Sequence, residues 1–200
     1  MNLPDKASIF RFHNEMIKEY GANDIAALGW KSREAQLARY KILSGIADLD
    51  DCSVIDVGCG HGDLRPFLGE HYPNLHYLGI EQIPALLDIA IERYAHLPET
   101  LFFEGDFSIA ELPLTDYVIA CGALSYHNSD PLYIFMMIEK LFNACTKGFA
   151  FNLLSKTEIA GGIITSYRPA EILDFCSKLS SNIKFFDAYW EDDFTVMMYH

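Results

Sequence analysis

The stretch Asp56-Val57-Gly58-Cys59-Gly60-His61-Gly62-Asp63-Leu64 follows a short apolar run that starts at Val54 and precedes a helical pattern carried by Leu64, Phe67 and Leu68. Glycine at alternate positions between a strand and a helix marks a turn where backbone must come close to a ligand and side chains would obstruct it. The spacing discriminates between ligands. A dinucleotide loop reads G-x-G-x-x-G, and the position of its third glycine is here Asp63, whose carboxylate would repel a diphosphate. The loop also lacks the lysine of a Walker-type phosphate loop.

Outward from this turn, short runs rich in Val, Ile, Phe and Tyr alternate with segments of helical period, as in strand-helix repetition around a mostly parallel sheet. The strands are expected at Val54–Gly58, His76–Glu81, Leu101–Asp106, Tyr117–Gly122, Phe149–Leu154, Ile183–Tyr189 and Phe194–Tyr199. Several are apolar almost without alternation, which requires helices on both faces. Pro84, the pair Asp130-Pro131 and Pro169 open the intervening helices. Their inner faces are read as Leu87, Ile91 and Tyr94, then Phe135, Ile138 and Phe142, then Ile172, Phe175 and Leu179. Only a few residues around Glu191 to Asp193 separate the last two strands, too few for a crossover helix, so these pair as an antiparallel hairpin. The expected fold is α/β: five parallel strands closed by the hairpin, seven in all, with one strand reversed.

About fifty residues precede the sheet, with helical patterns at Ile9–Tyr20 and Ser32–Ala47. In the second, Ala35, Ala38, Ile42 and Ile46 form an apolar face, and Gln36 and Arg39 lie on another. This segment, 1–50, is expected to be a helical lid over the core, 51–200, within one domain.

The 15 Lys and Arg against 28 Asp and Glu leave a net charge of -13. Phosphate-led binding of nucleic acid needs a basic stripe, and anionic membrane surfaces are disfavoured for the same reason. Cys52, Cys59, Cys121, Cys145 and Cys176 include no C-x-x-C pair and read as reduced thiols of a cytoplasmic protein, with no disulfide frame and no metal site. Neither a signal peptide nor a membrane span is legible, because the longest apolar run, Leu132–Ile138, is far too short.

With the acidic Glu81 closing Leu78-Gly79-Ile80-Glu81, the Glu104-Gly105-Asp106-Phe107 strand end, and the Asp116 to Gly122 strand, the chain resembles the class I S-adenosylmethionine-dependent methyltransferases over residues 54–200. The resemblance implies a Rossmann-like fold and S-adenosylmethionine as cofactor. It implies that Gly58, Cys59 and Gly60 line the methionine part with Asp56 supporting the loop. It further implies that Glu81 holds the ribose, Asp106 and Phe107 the adenine, and Gln82 or Ile83 a purine face, with the Cys121 carbonyl on the ammonium group. Gln36 and Arg39 reach the carboxylate if the lid closes as expected.

Each residue has an ordinary competing role. The ordinary role of Glu81 is a solvated strand-end carboxylate, of Asp106 a turn residue, of Arg39 a surface helix residue, and of Cys59 and Cys121 small packing groups; the spacing from the glycine turn favours the ligand role for Glu81 and Asp106. In the loop Ala123–Asp130, His127 is the candidate proton acceptor for a hydroxyl or amine substrate, or else a loop histidine in water, and Tyr126 and Tyr133 are pocket walls. The fourth strand ends in Ala-Cys-Gly-Ala, where enzymes that methylate exocyclic base amines carry Asn or Asp followed by Pro-Pro and an aromatic. The acceptor expected is therefore a small molecule. The alternatives are a catalytically silent interaction module of the same fold and nicotinamide-dependent redox chemistry.

Overall fold

The structure is a computed structural model that describes residues 1–157 and 162–200. Among them the chain orders α1 (Leu3–Tyr20), α2 (Arg33–Leu43), β1 (Ser53–Val57), α3 (Leu64–Gly69), β2 (His76–Glu81), α4 (Pro84–Tyr94), β3 (Thr100–Glu104), β4 (Thr115–Ala120), α5 (Tyr133–Asn143), β5 (Cys145–Leu154), α6 (Pro169–Leu179), β6 (Asn182–Phe186) and β7 (Asp193–Tyr199). Short 3₁₀ turns at Ile25–Leu28 and Ser44–Ile46 follow α1 and α2.

The sheet runs β3-β2-β1-β4-β5-β7-β6. The first five strands are parallel, and β7 is antiparallel to both β5 and β6, so it is the one reversed strand. The chain moves outward from β1 to β3 and then returns to lay β4 on the other side of β1. In open α/β sheets a crevice forms at such a reversal, beyond the carboxyl ends of the strands.

β1 shows why its sequence does not alternate. Val54 packs with Tyr40, Leu43, Leu64 and Leu68 on one face, and Ile55 and Val57 pack with Val118, Ile138 and Phe149 on the other. β3 is different because it lies at the sheet edge, where Leu101 and Phe103 are 69% and 68% exposed.

Local chemistry sets the helix ends. Asn2 accepts the Asp5 N–H and Ser32 accepts the Ala35 N–H, satisfying donors that have no intrahelical partner. α4 and α6 begin at Pro84 and Pro169, as expected. α5 begins three residues after Asp130, whose Oδ1 instead accepts the Leu132 N–H in the turn that leads into the helix.

Two helix faces differ from the periodicity reading. In α4 the buried residues are Leu86, Leu87, Ile89 and Ala90, and Ile91 is exposed. α4 packs on the N-terminal segment through Leu86, beside Ala27 and Ile83, as well as on the sheet, and this second contact rotates its buried arc. In α2 the buried residues are Ala35, Gln36, Tyr40 and Leu43, while Ala38 and Ile42 are half-buried. The face that carries polar Gln36 is thus turned inward, toward the crevice.

Phe151 of β5 is fully buried in the larger core cluster. Phe151→Ala is expected to cost about 3–5 kcal/mol through lost burial and the cavity left behind, measured as a shift in urea midpoint at unchanged slope.

Candidate functional site

The turn Gly58 to Gly62 leaves β1 with three residues in the left-handed region, Gly58 (φ 70°), Gly60 (φ 55°) and Gly62 (φ 72°). Space is as restrictive as backbone here. A Cβ at Gly58 would sit 2.6 Å from Ala123 Cβ, and one at Gly60 would sit 2.6 Å from Leu28 Cδ2. Cys59 is buried against β2, its Sγ 2.9 Å from where a Cβ on Gly79 would lie, as a small packing group would be.

Glu81 holds the turn in place. Its Oε2 accepts the Gly60 N–H at 2.9 Å, and Oε1 accepts the N–H groups of Gln82 at 2.8 Å and Ile83 at 2.9 Å. A carboxylate offers about four acceptor positions, so these three leave one for a ligand. Burial pushes the Glu81 carboxyl up, against the lowering effect of the three N–H groups. Asp56 stands behind the turn, 2% exposed, with the Tyr77 hydroxyl donating to Oδ2 at 2.6 Å. Burial raises Asp56 to about 7, partly opposed by Tyr77 and reinforced by Glu81.

A cavity of about 560 Å³ opens above the turn, within the range of about 300–1,000 Å³ common for small-molecule sites. Asp56, Gly58, Cys59, Gly60, Glu81, Gln82, Asp106, Phe107, Cys121 and Arg39 all lie on its wall. The sheet therefore brings the expected cofactor residues to one place. His127 lies elsewhere: it is exposed, its Nδ1 is 3.2 Å from Thr165 Oγ1, and it does not line the cavity. The reason is the bridge between Tyr126 and Ile164, which turns side chains at 126 and 127 to opposite sides. Asp63 also faces away from the cavity, toward α4, where it takes the Tyr94 hydroxyl at 2.7 Å and pairs with Arg93 at 3.5 Å. His61 is 1% exposed and is absent from the cavity wall.

The N-terminal segment forms the opposite wall through Ile9, Phe12, His13, Leu28, Trp30, Gln36 and Arg39, among others. Lys6 of α1 pairs with Asp106 Oδ2 at 2.7 Å, and Asp106 Oδ1 accepts the Ser108 N–H. Burial would raise the Asp106 carboxyl, but Lys6 and Ser108 together hold it below the usual carboxylate range. Arg39 grips Asp193 of β7 through Nε at 2.5 Å and Nη2 at 2.6 Å, and stacks on Trp30 at 4.4 Å. Its remaining nitrogen, Nη1, lies 3.8 Å from where a Cβ on Gly122 would be, beside the cavity. Arg39 is thus fixed by protein partners while one end of its guanidinium stays directed at the site.

Two buried amide oxygens, Gln36 Oε1 on this wall and Gln82 Oε1 just after β2, have no hydrogen-bond partner. A buried polar atom left unpaired is costly, so both point to a polar ligand. His13, which the sequence reading did not single out, also lines the cavity. It is 4% exposed, with Nδ1 2.8 Å from the Ala27 carbonyl and Nε2 2.8 Å from the Tyr126 hydroxyl. No local signal marked it, because a histidine within a helix distant in sequence from the glycine turn has no spacing rule. The loop Ser155–Arg168 contributes Lys156, Thr157, Gly162, Ile163 and Ile164, and its residues 158–161 lie outside those described.

Residues 55–148 match the family model described as methyltransferase domain. No curated protein sequence matches the chain. Among solved structures, the chain is similar to magnesium protoporphyrin IX methyltransferase from Synechocystis PCC 6803, solved with bound SAH, at 14% identity and a TM-score of 0.73, covering 98% of this chain and 99% of that one. It is similar to a SAM-dependent methyltransferase from Aquifex aeolicus at 17% identity and a TM-score of 0.64, covering 94% and 97%. Human N-acetylserotonin methyltransferase in complex with SAM matches at 16% identity and a TM-score of 0.66, covering 96% of this chain and 57% of that one. At these identities the likeness is one of fold.

The raised Asp56 sets a pH dependence. A carboxyl whose folded value, about 7, lies above its unfolded value binds more protons when folded. Its stabilising contribution is full below the unfolded value and lost as pH rises through about 7. Asp56→Asn, which keeps an acceptor for Tyr77, is therefore expected to melt above the parent chain at pH 8, with the gap closing at pH 4. Thermal melts across that range check it.

Proposed function

We propose that this chain, which carries a methyltransferase domain in a class I methyltransferase fold, transfers a methyl group from S-adenosylmethionine to a small-molecule acceptor. The observation that carries the reading is that the bare glycine turn and the unpartnered amide oxygens of Gln36 and Gln82 line the same cavity. A catalytically silent interaction module has no physical need for buried polar atoms left without a partner beside a cavity.

The residues present suit the nucleoside. Gly58 and Gly60 leave backbone room for the methionine part, and Arg39 Nη1 together with Gln36 offers donors for its carboxylate. Asp56 and the Cys121 carbonyl offer acceptors for its ammonium group. Glu81 keeps one acceptor position for the ribose, and Asp106 and Phe107 stand at the adenine end. Lys6 ties Asp106 to α1, so the N-terminal segment acts as a lid anchored on the adenine end and, through Arg39, on β7.

S-adenosylmethionine, when bound, supplies an electrophilic methyl group on a sulfonium. The chain's part is alignment for in-line attack and exclusion of water, which Trp30, Phe12 and Leu28 provide from the lid side. The acceptor sits on the side of the cavity lined by Ser125, Tyr126, Tyr133, Ile163 and Ile164.

Calorimetry is expected to give low-micromolar to sub-millimolar binding of S-adenosylmethionine or its demethylated product. Gly58→Asp should abolish it, because a side chain there strikes Ala123 in a backbone conformation that favours glycine. A folded parent chain that takes up neither ligand would overturn the reading. Because a cationic ligand beside Asp56 lowers a carboxyl poised at about 7, binding near neutral pH should release protons, read as a dependence of the heat on the buffer's ionisation enthalpy.

A further inference from the structure

The pair His13 and Tyr126 lines the cavity and is not among the residues read above as holding the methyl donor. The Ala27 carbonyl can only accept a hydrogen bond, so His13 Nδ1 carries the ring hydrogen and donates to it at 2.8 Å. Nε2 is therefore the bare nitrogen, and the Tyr126 hydroxyl donates to it at 2.8 Å. Burial keeps the imidazole neutral by lowering its pKa, against a smaller raising effect from Ala27. Burial and then the Glu81 charge raise the Tyr126 hydroxyl, so it stays protonated. Tyr126 is the titratable group in contact with His13, and Glu81 is the charged group acting on that contact. The Tyr126 oxygen keeps lone pairs with which to accept from a molecule in the cavity.

We infer that Tyr126 and His13 together remove a proton from the acceptor, and that the acceptor is a hydroxyl on an aromatic body, of the phenol class. The inference rests on the methyl-transfer reading above and identifies its acceptor. A neutral amine attacks without first losing a proton, so a preset proton acceptor serves an O–H nucleophile. The aromatic body follows from the cavity lining, to which Phe12, Trp30, Tyr126, Tyr133 and Trp190 all contribute. In the step, the acceptor O–H bond breaks and its proton passes to the Tyr126 oxygen, while the proton of Tyr126 passes to His13 Nε2. The acceptor oxygen forms the new O–C bond with its freed electron pair, and the C–S pair remains on sulfur. The positive charge lost at the sulfonium reappears on the His13 imidazolium, so charge and atoms balance.

Tyr126 touches the acceptor and is the catalytic residue; His13 acts through it and is a positioning residue that also stores the proton. The pair equally staples α1 to the loop after β4, and the test separates the two roles. Substituted phenols of graded acidity serve as acceptors with S-adenosylmethionine at pH 8. His13→Gln and Tyr126→Phe are expected to lower kcat by about 100- to 10,000-fold for phenols still protonated at that pH. For phenols already ionised they should lower it about tenfold or less, with KM unchanged throughout. Equal losses on both groups of phenols, or losses confined to KM, would overturn the proton-transfer role. Tyr126→Phe keeps the ring in place, so the test stands if His13→Gln fails to fold. An independent readout needs no turnover: nitrogen NMR of the ligand-free chain should show His13 protonated at Nδ1 at neutral pH, and protonation at Nε2 would overturn the arrangement. If the methyl donor binds but no phenol is methylated, this proposal falls alone; if the donor does not bind, the methyl-transfer reading falls and takes this one with it.

Discussion

The site depends on the Glu81 carboxylate accepting backbone N–H groups from Gly60, Gln82 and Ile83. One buried charge at the end of β2 ties the turn after β1 to the start of α4 and so sets the floor of the cavity. Left-handed backbone at Gly58, Gly60 and Gly62 lets that turn double back under its own N–H groups. A side chain at Gly58 or Gly60 would meet Ala123 or Leu28 instead of a ligand. The floor is thus held by polar contacts from below and kept clear by the absence of side chains above.

Above the floor, charge is arranged in pairs that anchor the N-terminal segment. Lys6 reaches Asp106, Arg39 reaches Asp193, and Arg33 reaches Asp63. These contacts join residues far apart in sequence. They accompany the placing of Trp30, Phe12 and Leu28 on the cavity wall opposite a floor that carries two carboxyls raised by burial, Asp56 and Glu81. A cationic ligand suits that floor, since burial disfavours the charged form of both carboxyls and a nearby positive charge favours it.

The helix faces illustrate where periodicity misleads. The α2 pattern places its apolar residues on the Ala38 and Ile42 side, yet the helix turns Gln36 inward. A helix that lines a ligand cavity buries a polar residue, and the periodicity rule treats that residue as surface. In α4, contact with a second neighbour leaves Ile91 in solvent. The central strands were more legible because a parallel strand covered on both faces reads as a short, nearly continuous apolar run.

The sequence by itself determined the elements whose rules are local: the order of strands and helices, the reversed final strand, the glycine turn, and the acidic residues at the ends of β2 and β3. Each follows from spacing along the chain and from the conformations open to particular residue types. Only the tertiary structure decided which histidine faces the cavity. The bridge of Tyr126 with Ile164 and the contacts of α1 with the Ile25–Leu28 turn and the loop after β4 bring in His13 and leave His127 outside. Contacts between residues over a hundred positions apart leave no periodic trace in the sequence, because they depend on how whole elements dock.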